Sequence, residues 1–212
     1  MTSDSSPNLL VLHAVRILGF ADTPAIAHRF GIDPAETEEI LLDAQAYGWV
    51  QHSAFADLHG WSLTESGRAR NEQQLHEELA AAGKADRILG VYRGFLPLNT
   101  RLLRACTDWQ LRPTPDNRLA ENDHSDTAWD EQILDELASI GSALNPLAHQ
   151  LGAVLARLSG YETRFDTALR RAGRGDHGWV DRTDVDSCHR VWFELHEDLV
   201  ATIGIDRRAE SS

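Results

Sequence analysis

The chain has 212 residues, 42% of them hydrophobic and 25% charged, with a net charge of −13. This composition suits one large or two small globular domains, and the acidic balance excludes long-range attraction to a phosphate backbone, so DNA affinity would need a local basic patch. The stretch from Met1 to Ser6 lacks the basic and apolar regions of a signal peptide, and the apolar run from Leu9 to Leu18, interrupted by His13 and Arg16, is far short of the ~20 residues that span a bilayer.

A soluble, cytoplasmic protein without a membrane partner is therefore expected. In chain order, Asn8 to Gly19 reads as a helix with Leu10, Ala14 and Ile17 on one stripe and Val11, Val15 and Leu18 on the next, so it is the buried one. Thr23 followed by Pro24 predicts the cap and first turn of a second helix, whose inner face is Ile26, Ala27 and Phe30 and which Gly31 ends. Asp33, Pro34 and Glu36 repeat that grammar for a third helix, running to Tyr47 before Gly48. Trp49 to His52 then reads as a strand, Ser53 to Gly60 as a loop and Trp61 to Leu63 as the returning strand, after which Thr64 caps a fourth helix to about Ala82. The tight Gly31-Ile32-Asp33 connection makes helices two and three a helix-turn-helix, with the loop between the strands as a wing.

The segment "AIAHRFGIDPAETEEILLDAQAYGWVQ", followed by "GWSLTESGRAR", resembles the winged-helix domain of MarR-like and PadR-like transcription regulators. Ile26-Ala27, Gly31-Ile32, Gly48-Trp49-Val50, Leu63-Thr64 and Gly67-Arg68 carry the resemblance, which covers about a third of the chain. It implies a DNA-binding fold. The basic residues that the family usually places on its recognition helix and wing are replaced here by Glu38, Glu39, Asp43, Ala54, Phe55 and Asp57. The same signature also resembles, more weakly, a C-terminal appendage of short pyruvate phosphate dikinase-like proteins, which need not touch DNA.

From Lys84 onward the periodicity predicts helices at Ala85 to Leu96, Leu98 to Leu111, Thr127 to Leu144, Pro146 to Ser159, Tyr161 to Ala172 and Val185 to Ile203. Breaks are expected at Pro97, at the polar stretch from Arg112 to Asp126, at Asn145-Pro146 and from Gly173 to Asp184. The expected architecture is mainly α: a winged helix over residues 1–82 (three helices plus a small β-hairpin wing), an all-α C-terminal bundle over 83–205 for dimerisation or effector binding, and a disordered tail over 206–212.

If the third helix packs through Thr37, Ile40, Leu41, Ala44 and Tyr47, then Glu38, Glu39, Leu42, Asp43 and Ala46 face outward. Up to Ala81 there are four basic side chains against twelve acidic ones. The first expectation is a homodimeric DNA-binding regulator that touches phosphates through Arg29, Arg68, Arg70, His52 and His59 and approaches base edges through Thr37 and Gln45. The rival is an acidic protein-interaction module using Glu38, Glu39, Leu42 and Asp43, without DNA binding and acting on a dikinase-like enzyme. Around Pro97, Tyr92, Arg93, Asn99, Arg101 and Arg104 suggest a pocket for an anionic small-molecule effector.

Catalysis is not expected, because GxSxG, a glycine loop after a strand and a P-loop are all missing from the sequence. No cofactor is indicated. No metal site is expected either: His177, Asp181, Asp184, Asp186, Cys188, His189, His196 and Glu197 crowd one span, but His189 and His196 are seven apart, where helical zinc pairs sit four apart. Cys106 and Cys188, with no CxxC spacing, read as small core residues.

Overall fold

Side-chain caps start the first four helices. Ser6 accepts from the Leu9 amide, Asp22 from Ala25, Asp33 from Ala35 and Glu36, and Thr64 from Gly67, satisfying amides that a helix start leaves open. In this computed structural model, which describes residues 2–55 and 58–205, these caps precede α1 (Pro7–Leu18), α2 (Thr23–Phe30), α3 (Pro34–Ala46) and α4 (Glu65–Ala82). Strands β1 (Val50–Phe55) and β2 (Leu58–Leu63) lie between α3 and α4. They pair antiparallel with Val50 opposite Leu63 and His52 opposite Trp61. The chain is thus mainly helical with one two-stranded antiparallel sheet among the described residues.

Two details differ from the sequence expectation. The cap of α2 is Asp22, not Thr23, and the Thr23 hydroxyl is left to donate to Glu38 Oε2 at 2.6 Å and accept from the Trp61 indole at 3.1 Å. The expected loop from Ser53 to Gly60 is largely paired, with Ser53 opposite Gly60, Ala54 opposite His59 and Phe55 opposite Leu58. Mutual backbone bonding extends strands past the residues whose side chains advertise them.

The second half holds α5 (Ala85–Gln110), α6 (Thr127–Gly152), α7 (Tyr161–Ala172) and α8 (Cys188–Ile203), with short 3₁₀ turns at Ala156–Leu158 and His177–Trp179. Two of the expected breaks are absent, since Pro97 lies inside α5 and Pro146 inside α6. An interior proline costs about 3 kcal/mol. Burial of Ile88, Val91, Tyr92, Phe95, Leu98, Leu102 and Trp109 along α5 outweighs it, at roughly 1.5–3 kcal/mol for each large side chain. Both prolines are solvent-exposed, so water can serve the carbonyls they leave unbonded. The start expected for the last helix at Val185 falls instead at Cys188.

The chain divides into two compact units. Among the described residues the first comprises 2–55, 58–85, 154–157 and 197–205; the second comprises 86–153 and 158–196. Where sequence reading places 83–205 in one bundle, three pieces of that range, 83–85, 154–157 and 197–205, thus belong with the N-terminal helices. The expected disordered tail, 206–212, lies outside the described residues. In the first unit Val11, Leu12, Val15, Ile26, Leu41, Val50 and Trp61 form one core, with Phe30, Ile32 and Trp49 packed on it. A second, smaller cluster joins Leu9, Leu75 and Ala201. No helix among the described residues is long and apolar enough to cross a membrane.

A candidate recognition surface and its electrostatic frame

Three interactions hold α3 in place. Thr37, Leu41 and Ala44 are buried against the core, and the Thr37 hydroxyl donates to the Asp33 carbonyl at 2.9 Å. The Trp49 amide donates to the Ala44 carbonyl at 2.8 Å, tying the helix end to the hairpin. At the far side of the hairpin, Thr64 Oγ1 donates to the Gly48 carbonyl at 2.6 Å and accepts from the Gly67 amide at 3.0 Å. Gly67 sits so close to Trp49 that a Cβ there would lie 1.8 Å from the Trp49 carbonyl oxygen. The glycine at 67 therefore has a steric cause: it lets α4 approach the Trp49 backbone just before β1.

Beyond its first turn, α3 turns Glu39, Leu42, Asp43, Gln45 and Ala46 outward, with Glu38 half-withdrawn by its bond from Thr23. Leu42 is 51% exposed. Tyr47, expected on the packed side, is 69% exposed and stacks on Trp49 with centroids 4.7 Å apart, because α3 ends at Ala46 and the chain then turns at Gly48.

The residues expected to contact DNA differ in burial and in what they touch. Thr37 is fully buried and cannot reach a base edge. Arg29 lies over the Phe30 ring at 4.5 Å, and its charge acts on the buried Asp198. Arg70 lies over the Trp49 ring at 5.4 Å, and Arg68 stands 3.6 Å from Glu197. Gln45, His52 and His59 are exposed, His52 with its ring edge-on to Trp61.

Sequence reading missed the buried network behind this surface. Arg157 donates to Glu78 at 2.8 Å, to Thr202 at 2.8 Å and to Asp198, while His13 Nε2 lies 2.9 Å from Asp198 and its Nδ1 lies 3.3 Å from Asn71. The side chains of Arg157, Asp198 and His13 are wholly buried. Burial by itself would raise the pKa of Asp198, but the charges of Arg157 and His13 overcome it and hold the carboxyl below the usual range. Arg16 adds bonds to Glu72 at 3.0 Å and Glu197 at 2.9 Å. The signal available in the sequence was a histidine and an arginine inside otherwise apolar runs, with nothing to identify their partners.

In the second unit the residues expected around an effector split between two faces of α5. Tyr92 is buried against Phe95 and His196, and Asn99 accepts from the Trp192 indole at 2.9 Å. Arg101 and Arg104 instead line a cleft of about 330 Å³ with Asp108, Trp129, Ile133 and Glu136, and Arg93 is exposed. Arg101 already makes a two-point pair with Glu136, at 2.7 and 3.0 Å, and Arg104 stands 3.6 Å from Asp108. Each guanidinium in the cleft faces a carboxylate, so the expected anion pocket has little charge to offer. The arginines along α7 are engaged as well: Arg164 with Asp186 and Glu194, Arg170 with Asp166, and Arg171 over Trp179. Cys106 and Cys188 are buried and free, and desolvation pushes the Cys106 thiol up to about 12, far from a reactive thiolate.

Comparison of the chain with protein-family models, curated proteins and solved structures returned no match.

Proposed function

We propose that the first unit is a winged-helix regulatory module that presents α3 to a protein partner, and that the partner surface is basic around an apolar pocket. The observation that carries this reading is the outward face of α3, where exposed Leu42 and Tyr47 are bordered by Glu39 and Asp43. Three arginines of this unit face carboxylates outside α3: Arg16 faces Glu72 and Glu197, Arg157 faces Glu78 and Asp198, and Arg68 faces Glu197. An acidic rim speeds encounter with a basic partner, while a central apolar anchor supplies most of the affinity. The resemblance to the dikinase-like appendage makes such an enzyme the first partner to try. Titration of a fluorescently labelled chain with a dikinase-like enzyme, read by anisotropy, is expected to saturate, and Leu42→Glu to weaken binding at least tenfold. Equal binding by wild type and Leu42→Glu refutes the α3 contact.

A second reading, DNA binding as a homodimeric transcription regulator, is favoured by the order of three helices, hairpin and helix and by the exposure of Gln45, His52 and His59. Exposed Leu96 and Leu103, one heptad apart on α5, supply an apolar stripe for dimerisation in either reading. Anisotropy against duplex DNA at rising salt separates the two. A response that falls log-linearly with salt selects DNA, and a flat response at micromolar protein selects the protein partner.

A further inference from the structure

We propose that His124, Asp130 and His177 bind one divalent transition-metal ion of the zinc type. The three residues come from separate places in the second unit: the polar stretch before α6, the first turn of α6, and the 3₁₀ turn after α7. One ligand atom from each lies within 4.8 Å of the other two. His124 Nδ1 and Asp130 Oδ2 are 2.9 Å apart, and the two imidazole centroids are separated by 4.4 Å at a 68° interplanar angle.

Two donors about 2.0–2.1 Å from a shared ion stand roughly 3.0–3.5 Å from each other. The first pair is therefore almost at ligand spacing, and a ligand nitrogen of His177 lies within 4.8 Å of both. A His–Asp ion pair would account for His124 against Asp130. It would not account for a second imidazole brought to the same place from fifty residues downstream, with no acid of its own in the cluster.

The surroundings are those of a supported ligand set. Asn122, itself buried, donates to Asp130 Oδ1 at 2.8 Å, which fixes the carboxylate and leaves Oδ2 turned to His124. The Asn122 amide also donates to the Trp109 carbonyl at 3.0 Å, and its oxygen accepts from the His124 backbone amide at 3.2 Å. Such outer bonds orient ligands in metal sites. His124 has φ of 57°, the one left-handed non-glycine among the described residues, so the backbone is held in an unfavourable conformation that aims this imidazole. The Trp109 ring, 4.6 Å from the His124 ring and 5.6 Å from that of His177, walls one side. The His124 side chain is 25% exposed on the other, leaving room for water or an anionic group as a further ligand.

Two imidazoles and a carboxylate with open positions suit zinc or iron(II), and poorly suit calcium or magnesium, which take oxygen ligands. Sequence spacing does not reveal this set, because the ligands share no helix and are 6 and 47 residues apart along the chain.

The test uses the full chain stripped with EDTA, titrated with Zn²⁺ by calorimetry and with Co²⁺ by visible absorption. One ion per chain is expected, with cobalt d–d bands and a Zn²⁺-dependent rise in Tm. His177→Gln and Asp130→Asn should each weaken binding by more than about tenfold, while His149→Gln, a change at an exposed histidine of α6, should leave it unaltered. Circular dichroism without metal checks that each variant is folded, and if Asp130→Asn is not, His177→Gln decides. Absence of stoichiometric binding by the wild type, or binding that His177→Gln leaves unchanged, overturns the proposal.

Discussion

Single residues show how little slack the two units have. Gly67 admits no side chain, because its Cβ position falls on the Trp49 carbonyl, so Gly67→Ala should cost about 1–3 kcal/mol through forced displacement of α4 from the hairpin. Urea denaturation followed by tryptophan fluorescence measures this directly. Tyr92 offers the opposite case: its hydroxyl is buried without a hydrogen-bond partner among the described residues. Tyr92→Phe removes that group and keeps the ring against Phe95, so it should raise stability by roughly 1 kcal/mol, seen as a higher urea midpoint. Had Tyr92 belonged to an effector pocket, as its neighbourhood in sequence suggests, the hydroxyl would face solvent or ligand.

At the scale of elements, α3 and α5 illustrate what periodicity can and cannot convey. The inner face of α3 was legible, since Thr37, Leu41 and Ala44 recur at helical spacing and are all buried. Helical phase puts Tyr47 on the packed side, but the helix ends at Ala46 and Tyr47 is exposed. In α5 the proline punctuated the sequence without punctuating the structure. Pro97→Ala should therefore stabilise the chain by about 1–2 kcal/mol, restoring an interior amide bond while giving back some unfolded-chain entropy, with a rise in Tm as the readout. Loss of stability would mean that α5 relies on the altered geometry at Pro97. On the exposed face of α3, Leu42→Glu should change folding stability by less than about 0.5 kcal/mol, so that any loss of partner binding reports the surface itself.

At the scale of the whole molecule, the buried Asp198–Arg157–His13 network sets the response to acid. The carboxyl of Asp198 has a lower pKa folded than unfolded, so its contribution is fully present above the unfolded value of about 4 and is lost as pH falls toward the folded one. Denaturant titrations between neutral pH and about pH 2.5 should show stability falling below about pH 4, and Asp198→Asn should flatten that decline. The same substitution removes one of the two carboxylates that neutralise buried Arg157, leaving the charge of Glu78 beside it, and at neutral pH should cost about 3–5 kcal/mol. Local chemistry written along the chain was sufficient to determine the helix starts at Asp33 and Thr64, the hairpin after Gly48 and the span of α7, because caps, turn glycines and apolar spacing act within a few residues. Tertiary structure alone decided that prolines 97 and 146 are tolerated, that residues 154–157 and 197–205 complete the first unit, and that Arg157 meets Asp198 and His124 meets His177. Those outcomes depend on burial and on charge pairing between distant segments, and such energies exist only once the segments are packed together.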